Sequence, residues 1–276
     1  MRLSPNDPCW CGSQRKHKKC HKAYDEATGH RKYEESQKFY ASTWEVTSRL
    51  QHDRGDYDWM AQQLKPYGVR RLFDVGCGSG LGLRALLAQL PQLERIIAID
   101  ENIHCLRIAQ KTLAAAGHPP ELIDRIKVEY FPEGILQVAK PFAGQLPSPI
   151  ALIESDLMSD PFLETALRSD GLFDAVTIWL TGAHMLRAVN VANMGRGVRN
   201  EAELRIFLQN AVYELADRIL RPGGVLQVID RSDAPTDVLK YQAYLQSHRE
   251  QAEPTTLDVR DIRYRRGPGP KVAEPR

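Results

Sequence analysis

The sequence predicts an α/β protein: a doubly wound, mostly parallel sheet preceded by a small metal-binding module and a helical linker. Three observations carry that expectation. A short apolar strand runs into a glycine-rich turn and then a helix between Arg71 and Leu90; strand and helix patterns keep alternating from there to Asp230; and three of the five cysteines fall within twelve residues near the amino terminus. With 276 residues, 42% hydrophobic and 26% charged, the chain can bury a full core, and global disorder is excluded. Its apolar runs fall short of the ~18 residues a membrane-spanning helix needs. No apolar run follows the amino-terminal charges, so a cytoplasmic location is expected.

The formal charge of +2 is unevenly spread. Residues 1–40 carry nine Lys or Arg against five Asp or Glu, and residues 260–276 carry six against two, which leaves the middle at −6. Basic ends suit contact with RNA, ribosomes or acidic protein surfaces. Solvated ends account for the charge equally well.

The cysteine cluster comes first. Cys9, Cys11, Cys20 and His21 form a Cys₃His set, the closed tetrahedral shell of a structural zinc site. A disulfide framework is the weaker account for a chain of this size without a secretion signal. Arg15, Lys16, Lys18 and Lys19 between the ligands offset the charge of three thiolates. A segment of ~25 residues buries too little apolar surface to fold alone, so metal binding would supply its folding free energy.

From Ala23 to about Gln63 the pattern is helical, with Tyr33, Phe39, Tyr40, Trp44, Val46 and Leu50 at mixed three- and four-residue spacings and a break at Arg54-Gly55-Asp56. Its aromatic content suits a lid over a ligand or, more commonly, packing onto the next domain.

Arg71-Leu72-Phe73-Asp74-Val75 then leads into Gly76-Cys77-Gly78-Ser79-Gly80-Leu81-Gly82 and a helix from Leu83 to Leu90. Such a unit offers free backbone N–H groups to a nucleotide-like cofactor. The dinucleotide pattern G-x-G-x-x-G fails, because Leu81 or Leu83 occupies the third glycine position, and there is no G-K-[ST] phosphate loop. Asp74, two places before Gly76, would repel a pyrophosphate and suits a ligand with an ammonium, the charge pattern of S-adenosylmethionine. The second strand, Arg95 to Ile99, ends in Asp100, whose carboxylate can accept both ribose hydroxyls. After a helix from Ile103 to Ala116, the strand Ile150 to Ile153 leads to Asp156 and Leu157, where the acid can take the adenine amino group. Phe173 to Leu180 is a further strand, Glu201 to Leu220 a helix, and Arg221-Pro222-Gly223-Gly224 precedes a strand ending at Asp230.

On these landmarks, residues 68–231 resemble the class I S-adenosylmethionine-dependent methyltransferases, a Rossmann-like family. The matched pieces are Asp74, Gly76, Gly78 and Gly80 in the cofactor loop, with Asp100, Asp156, Phe173-Asp174-Ala175-Val176 and Leu220-Arg221-Pro222-Gly223-Gly224. Residues 5–22 resemble the SEC-C motif, a small zinc module, with Gln14 where that family usually has glycine. The resemblances imply an S-adenosylmethionine-dependent methyltransferase whose zinc module, residues 1–25, contacts a protein, ribosome or RNA. The expected organisation is a zinc module at 1–25, a helical linker or lid at 26–67, a methyltransferase domain at 68–266 and a disordered tail at 267–276. Two departures from the family are expected. One is an insertion from Arg125 to Ser148 with a strand at Ile126–Phe131. The other is a short carboxyl end with one helix, Pro235–Gln251, and one strand, Leu257–Arg265, in place of an antiparallel pair.

The acceptor is unknown from sequence. The loop Trp179-Leu180-Thr181-Gly182-Ala183-His184 lacks the Asn/Asp-Pro-Pro-Tyr/Phe run of many family members. His184 is a candidate general base and Trp179 a candidate stacking surface for a planar or cationic acceptor. Arg187, Arg196 and Arg199 with Asn190, Asn193 and Asn200 form a basic loop suited to an anion or to solvent. Cys77 and Cys105 read as packing residues. A non-catalytic S-adenosylmethionine-binding adaptor and a small-molecule methyltransferase with a purely structural zinc module are the alternatives.

Overall fold

The computed structural model describes residues 3–9, 15–27, 29–132, 134–147, 149–182, 190–198, 200–265 and 267. The sheet is built from six strands, of which the four central ones are short apolar runs buried almost throughout, as parallel strands flanked by helices must be, while the two edge strands are half-buried or exposed. The strands are β1 (Arg71–Val75), β2 (Arg95–Asp100) and β3 (Glu121–Ile123), then, after a hairpin of β4 (Ile126–Tyr130) and β5 (Ile135–Ala139), β6 (Ile150–Glu154), β7 (Phe173–Trp179) and β8 (Leu220–Ile229). The six-stranded sheet has the order β3-β6-β2-β1-β7-β8, and every pairing in it is parallel.

The helices are α1 (Lys22–Glu26), α2 (Gly29–Asp53), α3 (Asp56–Gln62), α4 (Leu81–Gln89), α5 (Ile103–Ala115), α6 (Leu163–Asp170), α7 (Val191–Met194), α8 (Glu201–Ile219) and α9 (Val238–Ala252). One core cluster joins α3, α4 and α5 to one face of the sheet through Met60, Leu86, Leu106 and Leu113. The other joins α6 and α8 to the opposite face through Leu167, Val212 and Ile219. Several helices start on side-chain caps: Asn102 accepts from the His104 N–H at α5, Asn200 from the Glu203 N–H at α8, and Asp237 from the Lys240 N–H at α9. The chain crosses to β2 and β6 on one side of β1 and returns to β7 on the other. The crevice at the carboxyl ends of β1 and β7 is therefore a topological switch point, where open α/β sheets receive ligands.

The doubly wound expectation holds, and the stretch from Arg125 to residue 148 contains the expected strand as one arm of a hairpin. Residues 126–130 pair antiparallel with 135–139. Its base is fastened by Arg125, whose buried guanidinium pairs with the buried Asp160, donates to the Lys140 carbonyl and lies 3.8 Å from the Phe142 ring centroid. Glu154 Oε2 accepts the Arg125 and Ile126 N–H groups at 3.0 and 2.9 Å. The strand expected over Leu257–Arg265 is not formed, which corrects the sequence reading. Its polar bonds go elsewhere: Arg263 donates to Gln63 Oε1 at 2.9 Å, and Arg265 to the carbonyls of Gly55 and Arg54 at 2.7 and 2.9 Å. Among the described residues, β8 is the edge of the sheet, with no antiparallel pair beyond it.

The linker is a long helix laid across the carboxyl ends of the strands. Gln37, Tyr40, Trp44, Ser48 and Gln51 recur at three- and four-residue intervals and share one face of α2, turned toward the sheet. Val46 and Leu50, which the apolar spacing placed with the aromatics, are 63% and 57% exposed. The inward stripe is polar and aromatic rather than aliphatic. Among the described residues no helix is long and apolar enough to cross a membrane.

Candidate functional site

The crevice is opened by the glycine turn. Gly76, Gly78 and Gly80 all have positive φ, at 79°, 53° and 77°, a backbone path that residues with a Cβ rarely follow. Two of these glycines are also required for space. A Cβ on Gly80 would sit 2.9 Å from the Cα of Ala109 and push α4 from α5, and one on Gly78 would overlap the Trp44 indole nitrogen and lie 2.8 Å from its Cδ1. The turn is locked to β2 by Asp100, whose Oδ2 accepts the Gly78 N–H and whose Oδ1 accepts the Asn102 N–H, each at 2.9 Å. Ser79 and Ser48 hydroxyls bond at 2.7 Å and fasten α2 to the same turn.

Gly76, Gly78, Asp100, Leu157 and Thr181 line the resulting cleft from the sheet side, and Gln37, Tyr40 and Trp44 of α2 close it from above. Gln37 also accepts the Asn102 side-chain N–H through its carbonyl at 2.9 Å. The free space so enclosed is about 50 Å³. That is room for water, whereas sites for ligands of nucleoside size run to ~300 Å³ or more. α2 and the glycine turn are in direct contact across the cleft.

The structure brings together Gly76, Gly78, Asp100 and Leu157 at this cleft. Gly80 lies just behind it, at the start of α4. Asp74 lies beneath the turn, 5% exposed, and accepts the Thr177 hydroxyl at 2.5 Å; burial pushes its carboxyl up to about 7 against the pull of that bond. Asp156 is buried and closes its own turn, accepting from the Met158 N–H at 3.1 Å and the Ser159 hydroxyl at 3.0 Å. Trp179 is 6% exposed; it donates its indole N–H to Gln227 Oε1 at 2.9 Å and packs against Gly82 of α4. This places the ring in the core rather than in the cleft. His184, Arg187 and Arg199 lie outside the described residues. Of the rest of that loop, Asn190 is buried, caps α7 and donates to Gln137 Oε1 at 3.1 Å, Asn193 is buried, and Arg196 donates to the Met158 carbonyl. Cys77 and Cys105 are buried, and burial pushes both thiols up, away from nucleophilic use.

The sequence places Tyr40 and Trp44 in an aromatic helix suited to a lid and Thr181 in the loop after β7, without assigning any of the three to the cofactor cleft. The aromatic content of the linker was the available signal for the first two; nothing in the sequence marks the third.

The second cluster is at the amino terminus. The donor atoms of Cys9, Cys20 and His21 all lie within 4.8 Å of one another, with His21 Nδ1 3.0 Å from Cys9 Sγ and 3.5 Å from Cys20 Sγ. Cys11, the expected fourth ligand, lies outside the described residues. Two soft thiol donors and an imidazole at these separations fit a metal that favours sulfur and nitrogen. Burial lowers the His21 pKa, which favours the neutral ring that a metal binds. Arg15 reaches Cys20 Sγ at 3.6 Å, a countercharge for a thiolate. Arg15, Lys16, Lys18 and Lys19 are exposed around the cluster. The His21 ring centroid lies 3.7 Å from that of Phe39, so the cluster rests directly on α2.

Residues 6–23 match the SEC-C motif. No curated protein matches the chain. Among solved structures, it is similar to an O-methyltransferase family protein from Burkholderia thailandensis at 15% identity, covering 83% of this chain and 50% of that one with a TM-score of 0.42. It is also similar to an O-methyltransferase from Streptomyces achromogenes in complex with SAM, at 14% identity over 63% and 54% of the two chains and a TM-score of 0.35. A precorrin 8w decarboxylase from Methanobacterium thermoautotrophicum is similar at 16% identity over 66% and 62%, with a TM-score of 0.33. The chain thus spans about half to three fifths of the length of these proteins.

Proposed function

We propose that the chain is an S-adenosylmethionine-dependent methyltransferase whose amino-terminal module holds a structural zinc ion and docks the enzyme to an anionic protein or RNA acceptor. The observation that carries the reading is Asp100. It stands at the carboxyl end of β2, at the switch point, with both oxygens steadied by backbone N–H groups of the glycine turn and the α5 cap. A carboxylate at this strand end is the group that accepts ribose hydroxyls in nucleoside-binding sheets of this kind.

The acidic cleft and the open glycine turn fit the chemistry of this cofactor. When bound, it supplies an electrophilic methyl group on a sulfonium. The chain's own part is to hold and align the reactants and to exclude water, which α2 does through Tyr40 and Trp44. Cys9, Cys11, Cys20 and His21 would hold the zinc. Docking draws support from the exposed Arg15, Lys16, Lys18 and Lys19, for which the structure shows no carboxylate partner among the described residues.

The test is transfer of labelled methyl from S-adenosylmethionine into an extract lacking the endogenous protein, followed by separate ribonuclease and protease digestion. Wild type should transfer label that one digestion removes, and Asp100→Ala should not. A wild type that transfers no label and releases no S-adenosylhomocysteine would make the cleft that of a non-catalytic binder. Label confined to small molecules would leave the module a structural role only.

A further inference from the structure

α2 stands between the cleft and the metal cluster and touches both. Gln37, Tyr40 and Trp44 line the cleft, while Phe39, which lies between them in sequence, meets the His21 ring at 3.7 Å between centroids. The bonds that hold the helix to the sheet domain are polar: Ser48 with Ser79, Gln51 with Tyr57, the Gln37 carbonyl with Asn102, and Tyr33 with Gln137. Among the described residues, Trp44 is the one α2 side chain packed against the two apolar core clusters. Hydrogen bonds formed in exchange for water hold a helix less firmly than apolar burial does, so α2 draws on its other neighbour for order. At its amino-terminal end that neighbour is the module. Lys32 Nζ lies 5.0 Å from the Tyr24 ring centroid, and His21, 1% exposed, is the group that Phe39 meets.

His21 carries two contacts on one ring. Its face meets Phe39, and its Nδ1 is one of the clustered donor atoms, 3.0 Å from Cys9 Sγ. A module of this size owes its order to the metal, so the ring is fixed against Phe39 only while the metal is held. From Phe39 the helix reaches the cleft within two residues on either side. The Gln37 carbonyl accepts the Asn102 side-chain N–H at 2.9 Å, and Asp100 Oδ1 holds the Asn102 backbone N–H at 2.9 Å. The Tyr40 hydroxyl occupies the place a Cβ on Gly182 would take. Packed and hydrogen-bonded groups thus run without a break from the metal donors to Asp100. We propose that the metal ion is an allosteric effector of the cleft: held by Cys9, Cys20 and His21, it orders the amino-terminal half of α2 through Phe39 and so raises the affinity of the cleft for its nucleoside ligand. Phe39 is then a positioning residue. This coupling rests on the zinc and cofactor readings above and joins two sites that those readings leave independent. Linkage makes it reciprocal, so a ligand in the cleft tightens the metal by the same factor.

Two measurements on the full chain test it: calorimetry with S-adenosylhomocysteine, and amide exchange of the ligand-free protein, each on zinc-loaded wild type and on the same protein stripped with a chelator. Stripping should weaken S-adenosylhomocysteine about fivefold or more and accelerate exchange in the amino-terminal half of α2, with β1, β2 and α5 unchanged. In the reverse direction, S-adenosylhomocysteine should raise by the same factor the chelator concentration that removes half the zinc. Phe39→Ala leaves every donor in place; it should keep its zinc by elemental analysis and yet behave in both measurements as stripped wild type does. Unchanged affinity and exchange on stripping, or acceleration that extends through the sheet, would overturn the coupling and leave the cofactor reading standing. A Phe39→Ala variant without zinc, or with wild-type affinity and exchange, would overturn the route through Phe39. A wild type that carries no zinc would overturn the zinc reading and the coupling together. One that carries zinc and binds no S-adenosylhomocysteine would overturn the cofactor reading and the coupling built on it.

Discussion

At Gly78 the long helix α2 packs tightly on the glycine turn through Trp44, and Gly78→Ala puts a magnitude on that contact. Two costs are separable. The first is backbone: alanine at φ 53° costs roughly 1–2 kcal/mol. The second is steric, since the new methyl overlaps the Trp44 indole nitrogen and meets Cδ1 at 2.8 Å. Forcing an extra methyl into packed surroundings costs ~1–3 kcal/mol. Together they come to about 2–5 kcal/mol. Gly117 supplies the control. It has φ 85° and nothing within 4 Å of where a Cβ would stand, so Gly117→Ala bears only the backbone cost. Trp44→Ala supplies the second control by removing the obstacle. Urea unfolding of the two single glycine variants, Trp44→Ala and the Gly78→Ala/Trp44→Ala double variant should give a coupling of ~1–3 kcal/mol, with the double variant recovering the steric part. If the chain relieves the overlap by lifting α2 instead, amide exchange in residues 37–51 accelerates and the loss is limited to the docking energy of that helix. The reasoning would be refuted by a Gly78→Ala variant no less stable than Gly117→Ala, with unchanged exchange in α2.

Two further outcomes follow from the buried groups. Because burial raises the Asp74 pKa to about 7 in the folded chain from an ordinary value of 3.8, the folded state holds a proton there that the unfolded state releases. Its contribution to stability is therefore full below about pH 4 and is lost as pH rises toward 7, by at most ~4 kcal/mol. Asp74→Asn should flatten that part of the stability profile relative to wild type; an unchanged slope between pH 4 and 7 would show the carboxyl to be ionised throughout. Cys20→Ser should yield protein without zinc by elemental analysis, while Cys105→Ser, at a thiol buried in α5, should keep one equivalent. Equal zinc in both variants would remove Cys20 from the ligand set.

Five of the six sheet strands were legible because they are largely apolar and alternate with helical patterns, whereas β3 (Glu121–Ile123), three exposed or half-buried residues at the edge, was not. The glycine turn was legible because three glycines two apart have few other uses. Other elements depended on what their neighbours do. Leu257-Asp258-Val259-Arg260 alternates like a strand, yet Arg263 and Arg265 find partners on α3 and the loop before it, and no ladder forms. β5 lay in a stretch bounded by prolines, and only its pairing with β4 makes it a strand. Val46 and Leu50 fit a helical apolar stripe but face outward, because α2 covers a polar crevice and turns Gln37, Tyr40 and Trp44 toward it. In the candidate site, Asp100 was legible from its place at a strand end. Trp179 occupies the core because Gln227 satisfies its N–H there. Thr181 reaches the cleft wall past Leu180, whose φ of 53° the residue types do not announce.

The order in which the chain leaves the ribosome bears on how the cover forms. Cys9 and His21 are 12 residues apart, so the metal cluster can close while most of the protein is still unsynthesised. The bond that ties α2 to the hairpin, Gln137 to the Tyr33 hydroxyl, spans 104 residues, and the contact of Tyr40 with Gly182 spans more still. A long helix bearing an already ordered head must therefore wait, with its aromatic face in water, until β7 arrives. During that interval the basic head is the one finished surface of the cover, and the crevice at the carboxyl ends of the strands has yet to form.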